Sequence, residues 1–366
     1  MQEQLMMEAK RVLRMLADDK NVLLTGAPAT GKTTLLNMAE HLFLERGETT
    51  VDPYGAAAFP IASASDEGAF PGGGCSNRKV FRTTFHQGTR YRDFVRGIVP
   101  VPDASTVKFE VSKGLLWQAS EFAKQSDSAA LLIIDEINRG PAVSIFGDMI
   151  SAFEADKRLD DDGGIIAGKT VTVQILNDKA ELEDYQLPSR LYILAAMNQA
   201  DSSVEPMDAA FMRRWKRVKI CPNIAGLCLY FGIDDPGGDF PDEPASAADV
   251  YGLAAHALTV INYKIRLGRG EDYQLGQGVF MKLPSSELLE TSRALFAILP
   301  SAGLLWTPHR RGFLQRQGGH SRSLNAGAES FFGLKSSTFA GRQVITIEKA
   351  DIDESNVYTM MLSLVR

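Results

Sequence analysis

Cysteine is scarce in this chain, with three in 366 residues. Cys75, Cys221 and Cys228 cannot build a disulfide framework at this length, and no Cys-x-x-Cys or His-rich spacing offers a zinc site. A reducing compartment fits them. Long apolar runs are also missing: the longest, LLII and LYILAAM, are strand-sized and far short of the roughly 18 to 20 residues of a membrane span. The opening MQEQLMMEAKRVLRMLADDK sets Glu3 and Glu8 among apolar residues at helical spacing (Leu5, Met6, Val12, Leu13, Leu16), which reads as a surface helix and not a secretory signal. The expectation is a soluble, cytoplasmic protein with no membrane contact. Positive charge is not in excess either, since 39 basic against 45 acidic residues leave a net charge of −6. That argues against a surface built mainly to hold nucleic acid. What remains is ordinary globular composition, 45% hydrophobic and 23% charged, which excludes a disordered chain, a collagen and a coiled-coil rod. The length favours two cores over one.

After the first helix, NVLLTGAPATGKTTLLNMAEHLFLERG runs from an apolar strand (Val22 to Leu24) through a Gly-bearing turn into a helix from Lys32 to about Arg46. Residues 52–78 turn to Gly, Ala, Pro and Ser, a composition with little core-forming power, and read as an inserted loop. KVFRTTFHQ is a strand candidate, GLLWQASEFAKQS a helix and LLIIDE a buried strand; KTVTVQIL alternates like a hairpin strand, and RLYILAAMN is a further buried strand. Strands alternating with helices predict an α/β fold with a parallel sheet. The character changes near Cys221-Pro222, where FGIDDPGGDFPDEPAS reads as a linker or an exposed loop. Residues 1–222 are therefore expected to form the α/β domain. Residues 223–366 should form a smaller, mostly helical one carrying ADVYGLAAHALTVINYKIRLG and SSELLETSRALFAILP as helices, with VITIEKADI as a strand in the poorly patterned tail after Ser321.

The strongest chemical signal is GAPATGKT at 26–33, which fits G-x-x-x-x-G-K-[ST] at every fixed position, with a strand before it and a helix after. Gly26, Ala27, Pro28, Ala29, Thr30, Gly31 and Thr34 are the candidate nucleotide-binding residues of this loop, its glycines letting the backbone N–H groups curl round phosphates. Lys32 would reach the β and γ oxygens and Thr33 would offer a hydroxyl to Mg²⁺, while the helix points its positive end at the anion. LLIIDEIN ends a buried strand in Asp135, suited to holding Mg²⁺ through its water shell, and Glu136, suited to orienting or deprotonating the attacking water. Lys32 and Asp135 lie 103 positions apart, a separation the inserted loop helps to fill. Asn198 closes the strand LYILAAMN, at the end of a parallel sheet that faces the ligand crevice, and can help hold the water. MDAAFMRRWKRV then crowds Arg213, Arg214, Lys216 and Arg217 together; such cations are either a solvated face or reach a neighbouring subunit's γ-phosphate.

GAPATGKT, LLIIDEINRGP, MNQADSS and DAAFMRRW together resemble an AAA+ ATPase of the MoxR and dynein-related group. TFHQGTRYRDFVRGIVPV, IFGDMISAFE and LPSRLYILAAMNQADSSVEPMDAAFMRRW narrow the likeness to the McrB-like motors of modified-DNA restriction systems, over roughly residues 15 to 222, with LGQGVF near 275 a weaker lid match. The resemblance implies a P-loop NTPase sheet with a helical lid, Mg²⁺ with ATP or GTP, a homo-oligomeric ring with six subunits the favoured number, and a separate nuclease or effector subunit of McrC-like type. It implies Asp135 and Glu136 as the Walker B pair, Asn198 with Asp201 as the sensor segment, Arg213 and Arg214 as the arginine-finger pair, and Arg139 near the subunit interface. The sequence departs from the family in reading GAPATGKT for GPPGxGKT and MNQADSS for MNTADRS, and the second change removes a basic residue and tips the base expectation towards ATP. The motor begins within some 20 residues of Met1, so the expectation is a motor without its own DNA-reading domain, with any DNA contact indirect. Arg293 and Arg310 are the lid arginines available as a second sensor.

HQGTRYRDFVRG carries His86, Arg90, Tyr91, Arg92 and Arg96, and could serve DNA, a partner protein, a subunit interface or simple packing. Trp117, Trp215 and Trp306 read as core or interface residues. The leading function is an oligomeric NTPase that remodels or moves a partner in a restriction or anti-phage system. The alternative is a MoxR-like chaperone acting on a partner protein without DNA. A scaffold that binds nucleotide and scarcely hydrolyses it is disfavoured by the intact Glu136 and Asn198.

Overall fold

The computed structural model describes residues 2–45, 50–51, 58–59, 70–103, 106–199, 207–234, 239–268, 270–283, 334–339, 342–347, 358–359 and 361–362. The chain falls into two compact units. One comprises Gln2–Gly26 and Lys32–Ile220, the other Ala27–Gly31 with Cys221–Arg366.

The first unit opens with α1 (Gln2–Asp19), β1 (Asn21–Gly26) and α2 (Lys32–Leu44). A short antiparallel pair follows, β2 (Thr50–Val51) with β3 (Ala58–Phe59), and then β4 (Asn77–Thr84). The short helix α3 (Tyr91–Phe94) leads into a hairpin of β5 (Ile98–Asp103) and β6 (Thr106–Val111), and α4 (Leu115–Ala123) into β7 (Ser128–Asp135). After α5 (Ala142–Phe146), β8 (Val173–Leu176) and β9 (Leu182–Tyr185) form a second hairpin. β10 (Leu191–Asn198), α6 (Ala209–Met212) and β11 (Lys216–Lys219) complete the unit. The main sheet is parallel throughout, in the order β11-β1-β10-β7-β4.

Its three central strands, β1, β10 and β7, are buried on both faces, as a parallel sheet covered by helices requires. Alternation sorts the side chains. Val22, Leu24, Leu131, Ile133, Leu194 and Ala196 pack with α1 and α2, whereas Leu23, Leu132, Ile134, Ile193 and Ala195 pack with α4 and α5. The predicted helical spacing of α1 is realised, with Met6, Val12, Leu13 and Leu16 buried. On the α5 face Phe146 is the hub of an aromatic cluster, its ring centroid 4.9 to 6.4 Å from those of Phe94, Phe153, Phe211, Phe85 and Trp215.

Two expectations need correction, and one element went unread. Lys216–Lys219, read as part of a charge cluster, is a fifth sheet strand; only Val218 in it is buried, because β11 is an edge with one covered face. The loop over 52–78 ends inside the fold: Phe70 and Cys75 are buried, Gly72 N donates to the Tyr192 hydroxyl at 2.8 Å, and residues 77 and 78 belong to β4. The hairpin β5–β6 was not singled out from the sequence; β5 carries Pro100 and Pro102, and Ile98, Val107 and Phe109 are exposed.

In the second unit, α7 (Ile224–Phe231) and α8 (Ala247–Gly268) pack through Leu227, Cys228, Val250, Leu253, Ala254 and Leu258, with Phe280, Tyr358, Met361 and Leu362 joining that core. β12 (Leu334–Phe339) and β13 (Arg342–Ile347) form an antiparallel pair, so VITIEKADI does contribute a strand. The predicted helix SSELLETSRALFAILP, with Arg293, Trp306 and Arg310, lies outside the described residues. Among the described residues no helix is long and apolar enough to cross a membrane.

Candidate active site

β1, β7 and β10 are neighbours in one parallel sheet, so their C-terminal ends open on the same side, where α/β sheets bind ligands. β1 ends at Gly26, β7 at Asp135 and β10 at Asn198, and Gly26 stands in register with Asn198. The topology alone thus brings together three motifs that are far apart in sequence.

Gly26–Thr33 forms the turn from β1 into α2, with Gly31 at φ +96° and Ala29 at φ +60°. Glycine adopts the first without strain; alanine at the second does not. Thr30 closes the turn by donating its hydroxyl to the Ala27 carbonyl at 2.9 Å. Lys32 is buried and donates its Nζ to the Gly26 carbonyl at 3.0 Å. Burial lowers its pKa to about 8, while Glu136 and Asp135 nearby act in the opposite direction. An anion at the loop would stabilise the charged form.

The Thr33 hydroxyl donates to Asp135 Oδ2 at 3.4 Å. A hydroxyl and a carboxylate side by side at the helix start are hard oxygen donors that suit Mg²⁺, which takes its remaining ligands from waters and phosphate oxygens. Among the described residues no group of three or more His, Cys, Asp or Glu is placed to hold a metal ion. The other Asp135 oxygen accepts from the Glu136 amide at 3.0 Å, and Arg82 on β4 reaches within 3.9 Å of Oδ2 while pairing with Glu40 at 3.0 Å. Arg82 was not singled out from the sequence, because in KVFRTTF it reads as the polar face of a strand.

Glu136 sits at φ +51°, a left-handed conformation unusual for a residue other than glycine. Its Oε1 accepts from Asn198 Nδ2 at 2.6 Å, and Arg139 Nε lies 3.3 Å from Oε2. Asn138, buried, donates to the Asn198 carbonyl at 2.9 Å and ties the two strand ends together. The carboxylate is thus oriented by a positioned amide, as a residue that handles a water needs to be. Asp201, the other sensor candidate, lies outside the described residues.

The arginine pair separates. Arg214 is half-buried, donates to the Ala210 carbonyl at 2.6 Å and stands 3.6 Å from Glu154, while Arg213 is exposed. Lys216 pairs with Asp19 at 3.6 Å. Glu154 and Asp19 therefore balance part of a cluster that the sequence suggested would need an external anion. The HQGTRYRDFVRG segment separates too. Arg96 is buried over the Trp117 ring, 4.5 Å from its centroid, and paired with Asp178, and Tyr91 packs at Gly147, so these serve structure. His86 Nδ1 accepts from Gly88 N at 3.1 Å within a turn, and Arg90 and Arg92 are exposed.

Comparison with known proteins agrees with the geometry. Residues 74–215 match the AAA domain of the dynein-related subfamily. The chain is 27% identical over 212 residues to the Type IV methyl-directed restriction enzyme EcoKMcrB subunit of Escherichia coli (strain K12), an alignment covering 58% of this chain and 37% of that protein. It is 39% identical over 85 residues to the Type II restriction enzyme BsuMI component YdiS of Bacillus subtilis (strain 168), covering 23% of this chain and 25% of that one. The chain therefore spans little more than a third of the first relative and a quarter of the second. The parallel sheet and the motifs at its C-terminal edge agree with these matches: residues 74–215 are similar to the AAA domain of the dynein-related subfamily, and the chain is similar over part of its length to components of restriction systems.

Proposed function

We propose that this chain assembles into a ring, favoured to be a hexamer, and couples hydrolysis of ATP or GTP to remodelling or translocation in a McrBC-like restriction or anti-phage system, with the nuclease or effector on a separate subunit. The observation that carries the hydrolytic part is the convergence at one sheet edge of a phosphate-type loop with its buried Lys32, the Thr33–Asp135 oxygen pair at 3.4 Å, and Glu136 held by Asn198 at 2.6 Å. The two restriction-system relatives support the biological setting, and McrB and YdiS, named as a subunit and a component, support a partner chain.

In this reading the loop amides and Lys32 hold the β- and γ-phosphates, while Thr33 and Asp135 hold Mg²⁺, which when bound neutralises charge on the phosphate oxygens. Asn198 keeps the Glu136 carboxylate aimed at the site, and Glu136 takes the proton of the attacking water. The residual positive charge comes from Arg213 of an adjacent subunit, because Arg214 is engaged within its own chain by Ala210 and Glu154. ATP is the favoured base, on the reading of MNQADSS given above.

Hydrolysis of each triphosphate, with and without DNA and the partner chain, tests the proposal. Lys32→Ala should abolish nucleotide binding. Glu136→Gln should bind normally and lose about 10²- to 10⁴-fold in turnover, the usual contribution of a general base. Wild-type turnover in Glu136→Gln would remove the water-activating role, and a tenfold preference for GTP, about 1.4 kcal/mol, would overturn the choice of base.

A further inference from the structure

Ala27–Gly31 groups with the C-terminal unit, and the contact responsible is specific. Along Gly276-Gln277-Gly278 three donors meet three consecutive loop carbonyls. Gly276 N donates to Pro28 O at 3.0 Å, Gly278 N to Ala29 O at 2.9 Å and Gln277 Nε2 to Thr30 O at 3.0 Å. The Gln277 side chain is itself fixed, since its Oε1 accepts from Asn223 N at 3.0 Å. Both of its polar ends are thereby used.

The flanking glycines are dictated by proximity. A Cβ at 276 would lie 2.0 Å from the Ala29 carbonyl carbon, and one at 278 would lie 2.9 Å from the Ala29 oxygen. Only glycine lets the two backbones come this close. The residue between the clamped carbonyls is Ala29, whose left-handed φ of +60° costs an L-residue free energy. Strained residues persist only where their surroundings over-determine them. The three hydrogen bonds provide that constraint, and they face the carbonyls, leaving the loop amides to an anion.

We infer that Gly276-Gln277-Gly278 is a clamp that pre-forms the phosphate loop, with Gln277 as a positioning residue for nucleotide binding. The inference rests on the loop's being the nucleotide site. Gln277 touches no reacting atom, so its effect should fall on affinity and KM and not on the chemical step.

The test is titration of the full chain with fluorescently labelled ATP, ADP and GTP, beside steady-state kinetics and thermal unfolding. Gln277→Ala removes one hydrogen bond to the loop and should weaken all three nucleotides about tenfold, raising KM to match while kcat stays within about threefold. Gln277→Glu is nearly isosteric and keeps the acceptor for Asn223, yet replaces the donor to Thr30 with a carboxylate oxygen beside an anion site. Its loss should exceed that of the alanine variant, which a packing role would not produce. Gly276→Ala should weaken binding by pushing on Ala29 instead. If Gln277→Ala unfolds, Gln277→Glu carries the decision. Gln277 variants that bind like the wild type while Lys32→Ala binds nothing would overturn the clamp alone. A wild-type chain that binds none of the nucleotides would overturn the site assignment and the clamp with it.

Discussion

Ala29 occupies a loop position at which left-handed backbone is required, and it does so at a cost. An L-residue there pays roughly 1–2 kcal/mol, whereas glycine adds about 0.4–1 kcal/mol of unfolded-state entropy. Ala29→Gly should therefore leave stability unchanged or raise it by up to about 1.6 kcal/mol. Urea unfolding would check this, and a clear loss would mean the loop does not need φ +60° at that residue. At this scale the turn from β1 into α2 was legible as a candidate phosphate loop, because a fixed spacing of glycines, Lys32 and Thr33 has one strong chemical reading. Glu136 and Asn198 were legible from strand ends. Their 2.6 Å contact was not, since it depends on β7 and β10 being adjacent. Arg139 was noted for a subunit interface, but the structure adds its approach to Glu136.

Among the elements, Arg158 shows what pattern reading misses. It is fully buried, and burial lowers its pKa to about 9. It donates to the Phe153 and Leu191 carbonyls and to Asn21 Oδ1, and Asn21 Nδ2 in turn donates to Phe153 O at 2.7 Å. The guanidinium thereby joins the first residues of β1 and β10 to the segment that precedes β8. Arg158→Met fills similar space but takes the donor from the Leu191 carbonyl and from Asn21 Oδ1, and should destabilise the first unit by about 3 kcal/mol or more. Arg158→Lys should rescue little, because one ammonium cannot match the planar fork. A urea midpoint within error of the wild type for either variant would refute this account. Nothing in KRLDDDGG distinguishes this arginine from a solvated one.

For the whole molecule, the proposed ring makes a sharper demand than the sequence did, because Arg214 is held in its own chain and Arg213 is left exposed. A finger supplied in trans is worth about 10³ to 10⁵ in rate, far beyond the 0 to 1 kcal/mol or so of a surface ion pair. Arg213→Ala should therefore be inactive alone and regain hydrolysis when mixed with Glu136→Gln, whose subunits lend an intact arginine. Assembled mixtures that stay inactive, or full activity from a dilute monomer, would return Arg213 to a solvated face. Arg214→Ala should instead act mainly through stability.

The sequence by itself determined the local pattern: the glycine-bearing turn spaced to suit phosphates, the strands apolar enough to be buried on both faces, the acids and amide at their ends, and the likeness to McrB-like motors. Such features are written in short windows, where spacing and hydrophobic period suffice. Only the tertiary structure decided which cations were already balanced, that Lys216–Lys219 is an edge strand, that Phe70 and Cys75 end the Gly-rich stretch in the core, and that Gly276-Gln277-Gly278 grips the loop. Each of these depends on residues tens to hundreds of positions apart, and their adjacency follows from strand order and packing, which no local window contains.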